Sequence, residues 1–146
     1  MNTVSYSEGN NVGGVREILM AFFGFFTTLN PVTFKPGYGW TNMEFLPDAA
    51  SCKYTAADDD NGTTHSYSLV FGFNKQSVAM YNAFAQYTRQ TGICKFTDNN
   101  GLTLILGTLK NRVTIKQEGD TGAAPTNAND FKITLTWANR MPAQIV

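Results

Sequence analysis

Charge is scarce in this chain. Only 15% of its 146 residues are charged, against about 25% in an ordinary soluble domain, and eleven basic residues cancel eleven acidic ones. This balance argues against the basic patch that marks sequence-specific DNA binding. Lys110, Arg112, Lys116 and Lys132 do gather near the C-terminal strands, but on a sheet they read as a solvated face rather than a phosphate track. Near-zero net charge also does little to hold copies apart, which favours an assembly over an isolated monomer.

Chemistry-bearing residues are equally sparse. Cys52 and Cys94 are the two cysteines, too few for a disulfide framework. They read as free buried thiols acting as small apolar residues, with a single bridge left open if the chain is exported. His65 is the one histidine and sits mid-way along an alternating run, where a partly buried structural role is expected. Neither Cys-x-x-Cys nor His-x-x-x-His occurs, so no zinc site is expected, and no Ser-His-Asp motif surrounds His65. Asp58-Asp-Asp-Asn-Gly62 approaches a calcium loop, but Ala57 stands at its first position and Ser68 at its twelfth; it reads as a solvated turn. Gly13-Gly14 and Gly37-x-Gly39 lack the Lys-Ser/Thr and the following helix of a phosphate loop. No catalytic, cofactor-binding or metal residue is therefore nominated, and the chain is not expected to be an enzyme.

No apolar run is long enough to cross a bilayer. The strongest, residues 18–26, has nine residues where a spanning helix needs about 20. It makes a poor signal peptide, with Glu8 and Glu17 before it, no positive cluster and no small-residue cleavage site. It reads as a buried strand or a subunit contact surface, in a protein assembled in a cytoplasm without membrane insertion.

What the chain does have is alternation. With 42% hydrophobic and 13% aromatic residues it is rich enough for one domain with a real core, spanning 1–146. Residues 1–14 form a polar arm or entry loop, 15–26 a strand that bends at Gly24, 30–39 an extended loop and 40–46 a strand. Residues 51–57 and 63–73 alternate and form a hairpin with one buried face, the second strand placing His65, Tyr67, Leu69, Phe71 and Phe73 together. The period then changes. Val78, Tyr81, Ala85 and Thr88 recur at helical spacing, flanked by Phe84 and Tyr87, with Asn74 and Gly92 as caps. One helix over about 75–91 should pack on a sheet. Asn100-Gly101 marks a two-residue hairpin turn, 112–116 a further strand, and 118–130 a long loop suited to partner contacts. A last strand puts Phe131, Ile133, Leu135 and Trp137 on one face, before a mostly apolar tail. The fold class is mainly β, an antiparallel β-sandwich or small β-barrel with one flanking helix.

The order of elements resembles small virion proteins of tailed bacteriophages, especially tail-tube and neck proteins, and minor structural proteins of Bacteroides-type phages. The residues that carry the likeness are the Gly13-Gly14-Val15 entry, Tyr67-Ser-Leu-Val-Phe-Gly-Phe73 before the helix, and the Thr97-Asp-Asn-Asn-Gly101 hairpin leading to Leu106-Gly107. Phe131-Lys-Ile-Thr-Leu-Thr-Trp137 and Met141-Pro-Ala-Gln-Ile-Val146 complete it. It covers roughly two-thirds of the chain, from residue 50 onward. The resemblance implies a β-sandwich or barrel unit that forms a ring, commonly hexameric, by joining sheets of neighbouring subunits, with loops and arms touching adjacent rings.

Two functions compete at this point. One is a viral structural protein, a homo-oligomeric tail-tube or neck/connector ring subunit of the virion, assembled in the host cytoplasm. It would associate through edge strands and the 18–26 run, contact other virion proteins, and let DNA pass without specific binding, since few phosphate contacts mean weak binding. The other is a β-sandwich binding module for carbohydrate or a surface partner, in which Tyr38, Trp40 and neighbouring loops stack on the ligand; Tyr6 is another aromatic of this kind. Core or subunit contact is the more common fate of such aromatics.

Overall fold

The computed structural model describes residues 13–46, 49–73, 76–89, 92–124 and 130–146. Within them the chain runs β1 (Val15–Phe22), a turn of 3-10 helix (Phe23–Phe25), β2 (Phe26–Leu29), β3 (Val32–Phe34), β4 (Thr41–Asn42), β5 (Ser51–Asp59) and β6 (Gly62–Phe73). It continues with α1 (Val78–Arg89), β7 (Gly92–Asp98), β8 (Thr103–Leu106), β9 (Thr114–Asp120), β10 (Asp130–Asn139) and β11 (Gln144–Ile145). Five strands form one sheet in the order β11-β8-β7-β1-β4, and four form a second in the order β5-β6-β10-β9. Every pairing is antiparallel. The architecture is a β-sandwich with one flanking helix, and two separate sheets exclude the barrel alternative.

Period-2 alternation builds the layer between the sheets. Leu69 and Phe71 of β6, with Ile133 and Leu135 of β10, meet Ile18 and Met20 of β1, Cys94 of β7 and Leu106 of β8, and all eight are fully buried. Each large apolar side chain so buried contributes about 1.5–3 kcal/mol relative to exposure. Tyr67 extends the layer with a polar handle, its hydroxyl accepting a 3.0 Å hydrogen bond from the Ala143 amide, which fastens the C-terminal segment under the sheet. The final strand matches its expected pattern, with Phe131, Ile133, Leu135 and Trp137 all buried.

A third layer covers the other face of the five-stranded sheet. Ala21, Ile93 and Ile105 point outward from the sandwich and are sealed by the β2–β3 hairpin. Phe26, Phe34 and Trp40 pack there with ring centroids 4.7–5.4 Å apart. The central strand β7 is therefore buried on both faces, with Ile93 under the hairpin and Cys94 and Phe96 in the sandwich. The apolar run 18–26 is accounted for in the same way. Ile18 and Met20 face the sandwich, Ala21 and Phe26 face the hairpin, and the bend expected at Gly24 is the 3-10 turn. The run is internal, not a free contact surface.

The helix closes one end of the sandwich. Phe84 and Tyr87 are its buried residues, Phe84 lying 5.7–6.4 Å from the rings of Phe71, Phe73, Phe131 and Tyr87. The stripe expected from spacing is displaced by about one residue's rotation. Val78, Tyr81 and Ala85 are exposed, and Phe84 and Tyr87 take the sheet-facing positions instead. Of the expected caps, Gly92 begins β7, and Asn74 lies outside the described residues.

Several boundaries move for local reasons. The loop expected at 30–39 contains β3, because Thr28 Oγ1 donates 2.6 Å to the Pro31 carbonyl and folds the chain back as a hairpin. The strand expected over 40–46 shrinks to β4, two residues paired with Leu19 and Met20. The Asn100-Gly101 turn is a three-residue loop rather than a two-residue one. Asp98 Oδ1 accepts from the amides of Asn100 and Leu102, and Gly101 takes the positive φ of 93°. That is the geometry of a type I turn with a glycine bulge. The long loop expected from 118 starts only after Asp120, since β9 stays paired with β10 as far as Asp120, which faces Asp130. Residues 125–129 of that loop, and 1–12 of the N-terminal arm with Tyr6, lie outside the described residues.

Candidate functional site

The two sheets differ in how they end. The five-stranded sheet stops at β4 and β11, each only two residues long. The four-stranded sheet stops at two long strands, β5 with nine residues and β9 with seven. An unpaired strand edge exposes a row of backbone donors and acceptors that another chain can complete.

β5 is the longer of these edges, and eight of its nine residues are exposed. The hairpin with β6 therefore has its buried face on β6; only Cys52 of β5 packs against the core. Its side chains alternate. Ser51, Lys53, Thr55, Ala57 and Asp59 share the outer face of the sandwich, while Cys52, Tyr54, Ala56 and Asp58 share the inner side. Lys53 belongs to a row with Ser68, Thr136 and Thr114 that crosses all four strands. This row floors an outer groove of about 530 Å³.

The acidic triplet at the end of β5 serves the turn into β6. Asp59 Oδ1 accepts from the Asn61 amide at 2.8 Å, and Asp58 accepts from the Thr63 hydroxyl. The Arg140 guanidinium donates to the Asn61 carbonyl. Among the described residues no group of three or more His, Cys, Asp or Glu converges on a metal-sized site.

At the opposite edge, β9 is anchored inward and charged outward. Ile115 packs against the core, and Gln117 Nε2 donates 2.9 Å to the Phe84 carbonyl of the helix. On the outer face Lys116 and Glu118 form an ion pair at 2.6 Å. Their contact holds the lysine's proton more tightly and the glutamate's less tightly than usual. The four cations singled out in the sequence do not form one track. Lys116 is paired with Glu118, whereas the Arg112 guanidinium lies 3.7 Å over the Phe23 ring.

The remaining candidates are structural in geometry. His65 Nδ1 is hydrogen bonded to Tyr54 Oη at 2.6 Å, the rings stacked at 6° across β5 and β6. Trp40 packs edge-on to Phe26 and Phe34 under Lys95, so it is no open stacking platform. Tyr38 is half exposed and stacks on Phe25. No helix among the described residues is long and apolar enough to cross a membrane.

Both cysteines are free thiols, Cys94 fully buried and Cys52 half-buried beside a cleft of about 320 Å³ lined also by Tyr54, Phe96 and Leu104. Burial pushes the Cys52 thiol up to about 11, and raises Cys94 as well. The thiolate is the reactive form. With iodoacetamide at pH 8, Cys94 is expected to stay unmodified in the folded protein and Cys52 to react far more slowly than a free thiol, while both alkylate at once in urea. Mass spectrometry of the two peptides checks this; rapid native labelling of Cys94 would contradict its burial. The sign for stability follows. Unfolded thiols begin to ionise near their ordinary value while the folded ones stay neutral, so this contribution is complete below about 9 and is lost as pH rises toward 11.

Sequence reasoning had no signal for the two edges as a pair. Strand order is a long-range property, and Glu118, Gly119 and Asp120 read locally as the start of a loop. Comparison with known protein families, curated proteins and solved structures finds no match.

Proposed function

We propose that this chain is a structural subunit of a bacteriophage virion, a tail-tube or neck/connector protein that assembles into a ring by joining sheet edges. The observation that carries it is the four-stranded sheet whose two outer strands, β5 and β9, are long and have no further strand neighbour among the described residues, in a chain of zero net charge. Open edges are a liability in a monomer and are removed by closure into a ring. The sandwich with one flanking helix is the unit that the resemblance to tail-tube proteins calls for. Association through the 18–26 run drops out of the proposal because that run is consumed in two internal cores. Loop tips and the N-terminal arm serve contacts with other virion proteins, and a near-neutral wall suits DNA passing through without being held.

Purified protein is expected to form rings or stacked polymers in negative-stain electron micrographs, hexameric rings being the first expectation. Analytical ultracentrifugation should show species well above 16.1 kDa that grow with concentration. A single 16.1 kDa species across the whole concentration range would overturn the proposal.

A further inference from the structure

The order and direction of the strands say how two copies would meet. In the sheet β5-β6-β10-β9 each neighbour is antiparallel, so β5 and β9 themselves run in opposite directions. A copy placed edge to edge in the same orientation therefore sets its β5 antiparallel to the first copy's β9, and the sheet continues without a break in its alternation.

Register narrows the contact further. For the two inner faces to stay on one side, Lys53, Thr55 and Ala57 of β5 must align with Thr114, Lys116 and Glu118 of β9, and Tyr54 and Ala56 with Ile115 and Gln117. Only two registers satisfy this and keep all seven residues of β9 opposite β5. One sets Lys53 opposite Glu118 and Ala56 opposite Ile115. The other shifts by two residues, setting Lys53 opposite Asp120 but Asp58 opposite Ile115, which faces a carboxylate already engaged by Thr63 to an apolar side chain. The first register avoids that contact and keeps an opposite-charge pair, Lys53 and Glu118, facing across the strands, which stabilises the pairing.

We propose that β9 of one copy pairs with β5 of the next, head to tail, with Lys53 facing Glu118 and Ile115 packing on Ala56. The interface rests on the self-assembly reading given above and specifies its contact. It is heterologous, so it generates a ring or a filament and not a two-fold dimer. Glu118 exchanges its partner Lys116 within the strand for Lys53 across it, or bridges both.

Facing residues in an antiparallel pair have Cα atoms about 4.5–5.5 Å apart, inside the span of a disulfide. The test is the variant Lys53→Cys/Glu118→Cys in a Cys52→Ala/Cys94→Ala background, oxidised after assembly. A non-reducing gel should show a ladder of covalent oligomers beyond the dimer, with each single cysteine variant lacking the ladder. Dimers alone, or no cross-link while the uncross-linked protein is assembled, would overturn this contact and leave self-assembly standing. A parent protein that never assembles would remove both. Charge exchange gives a second measurement without touching the native cysteines. Lys53→Glu and Glu118→Lys should each weaken association about two- to fivefold by sedimentation, and the two combined in one chain should restore it. Equal weakening that the combination fails to repair would count against the register.

Discussion

Met20→Asp is expected to unfold the protein, not merely to disperse an assembly. Met20 is fully buried between the sheets, paired with Thr41 on one side and Cys94 on the other. A carboxylate placed there would lie among buried apolar side chains, and burying a charge without a partner costs several kcal/mol even after the group neutralises itself. Net stability of a domain this size is only about 5–15 kcal/mol. Far-UV circular dichroism should show loss of the β spectrum, or a thermal midpoint lowered by tens of degrees, at every protein concentration. Glu17→Lys, on an exposed position of the same strand, should stay within about 0.5 kcal/mol of the parent. The opposite result, a well-folded Met20→Asp monomer that has lost only its assembly, would return the 18–26 run to the role of a contact surface and refute the double internal core.

The ambiguity over that run shows where sequence legibility stopped. Alternation identifies a strand with one buried face, and it located β6 and β10 closely because each has one wet side. β1 and β7 have covers on both faces, so consecutive apolar residues such as Met20 and Ala21, or Ile93 and Cys94, are buried on opposite sides, and a buried strand is then indistinguishable from a sticky surface. The hairpin that supplies the second cover, β2–β3, lies in the stretch of proline and glycine that reads locally as loop. Trp40 was legible as an aromatic near a loop but not as the lid on Ile93 and Ala21, since that contact depends on the hairpin's return. Edges were less legible still. Asp58, Asp59 and Lys53 were visible as charges, yet their meaning depends on β5 having no neighbour on one side among the described residues, and strand order is set by tertiary pairings as distant in sequence as Asn139 with His65. The limits of β9 were missed because Gly119, Asp120 and Glu118 have weak strand propensity, while pairing with β10 overrides it through Asp120.

Phe84→Ala should cost about 3–5 kcal/mol, the usual loss for emptying a buried phenylalanine site. The ring is 1% exposed and packs at the helical end of the sandwich, with Phe73 and Phe131 of the four-stranded sheet at 5.7 and 5.9 Å and Tyr87 beside it at 6.0 Å. Tyr87 in turn stacks on Phe22 of the five-stranded sheet at 4.5 Å. Removing Phe84 therefore loosens the helix, which packs against both sheets through Phe84 and Tyr87, and the Gln117 tether to the helix backbone cannot replace the lost packing because it is a single neutral hydrogen bond worth about 1 kcal/mol. Val78→Ala is the matched comparison. Val78 is 77% exposed, so its truncation should change the urea midpoint by no more than about 0.5 kcal/mol equivalent. The helical spacing in the sequence put Val78, Tyr81 and Ala85 on the packing stripe and Phe84 on its flank. If Val78→Ala proved as damaging as Phe84→Ala, the helix would be seated with that stripe inward, and the aromatic cluster at this end of the sandwich would be wrong.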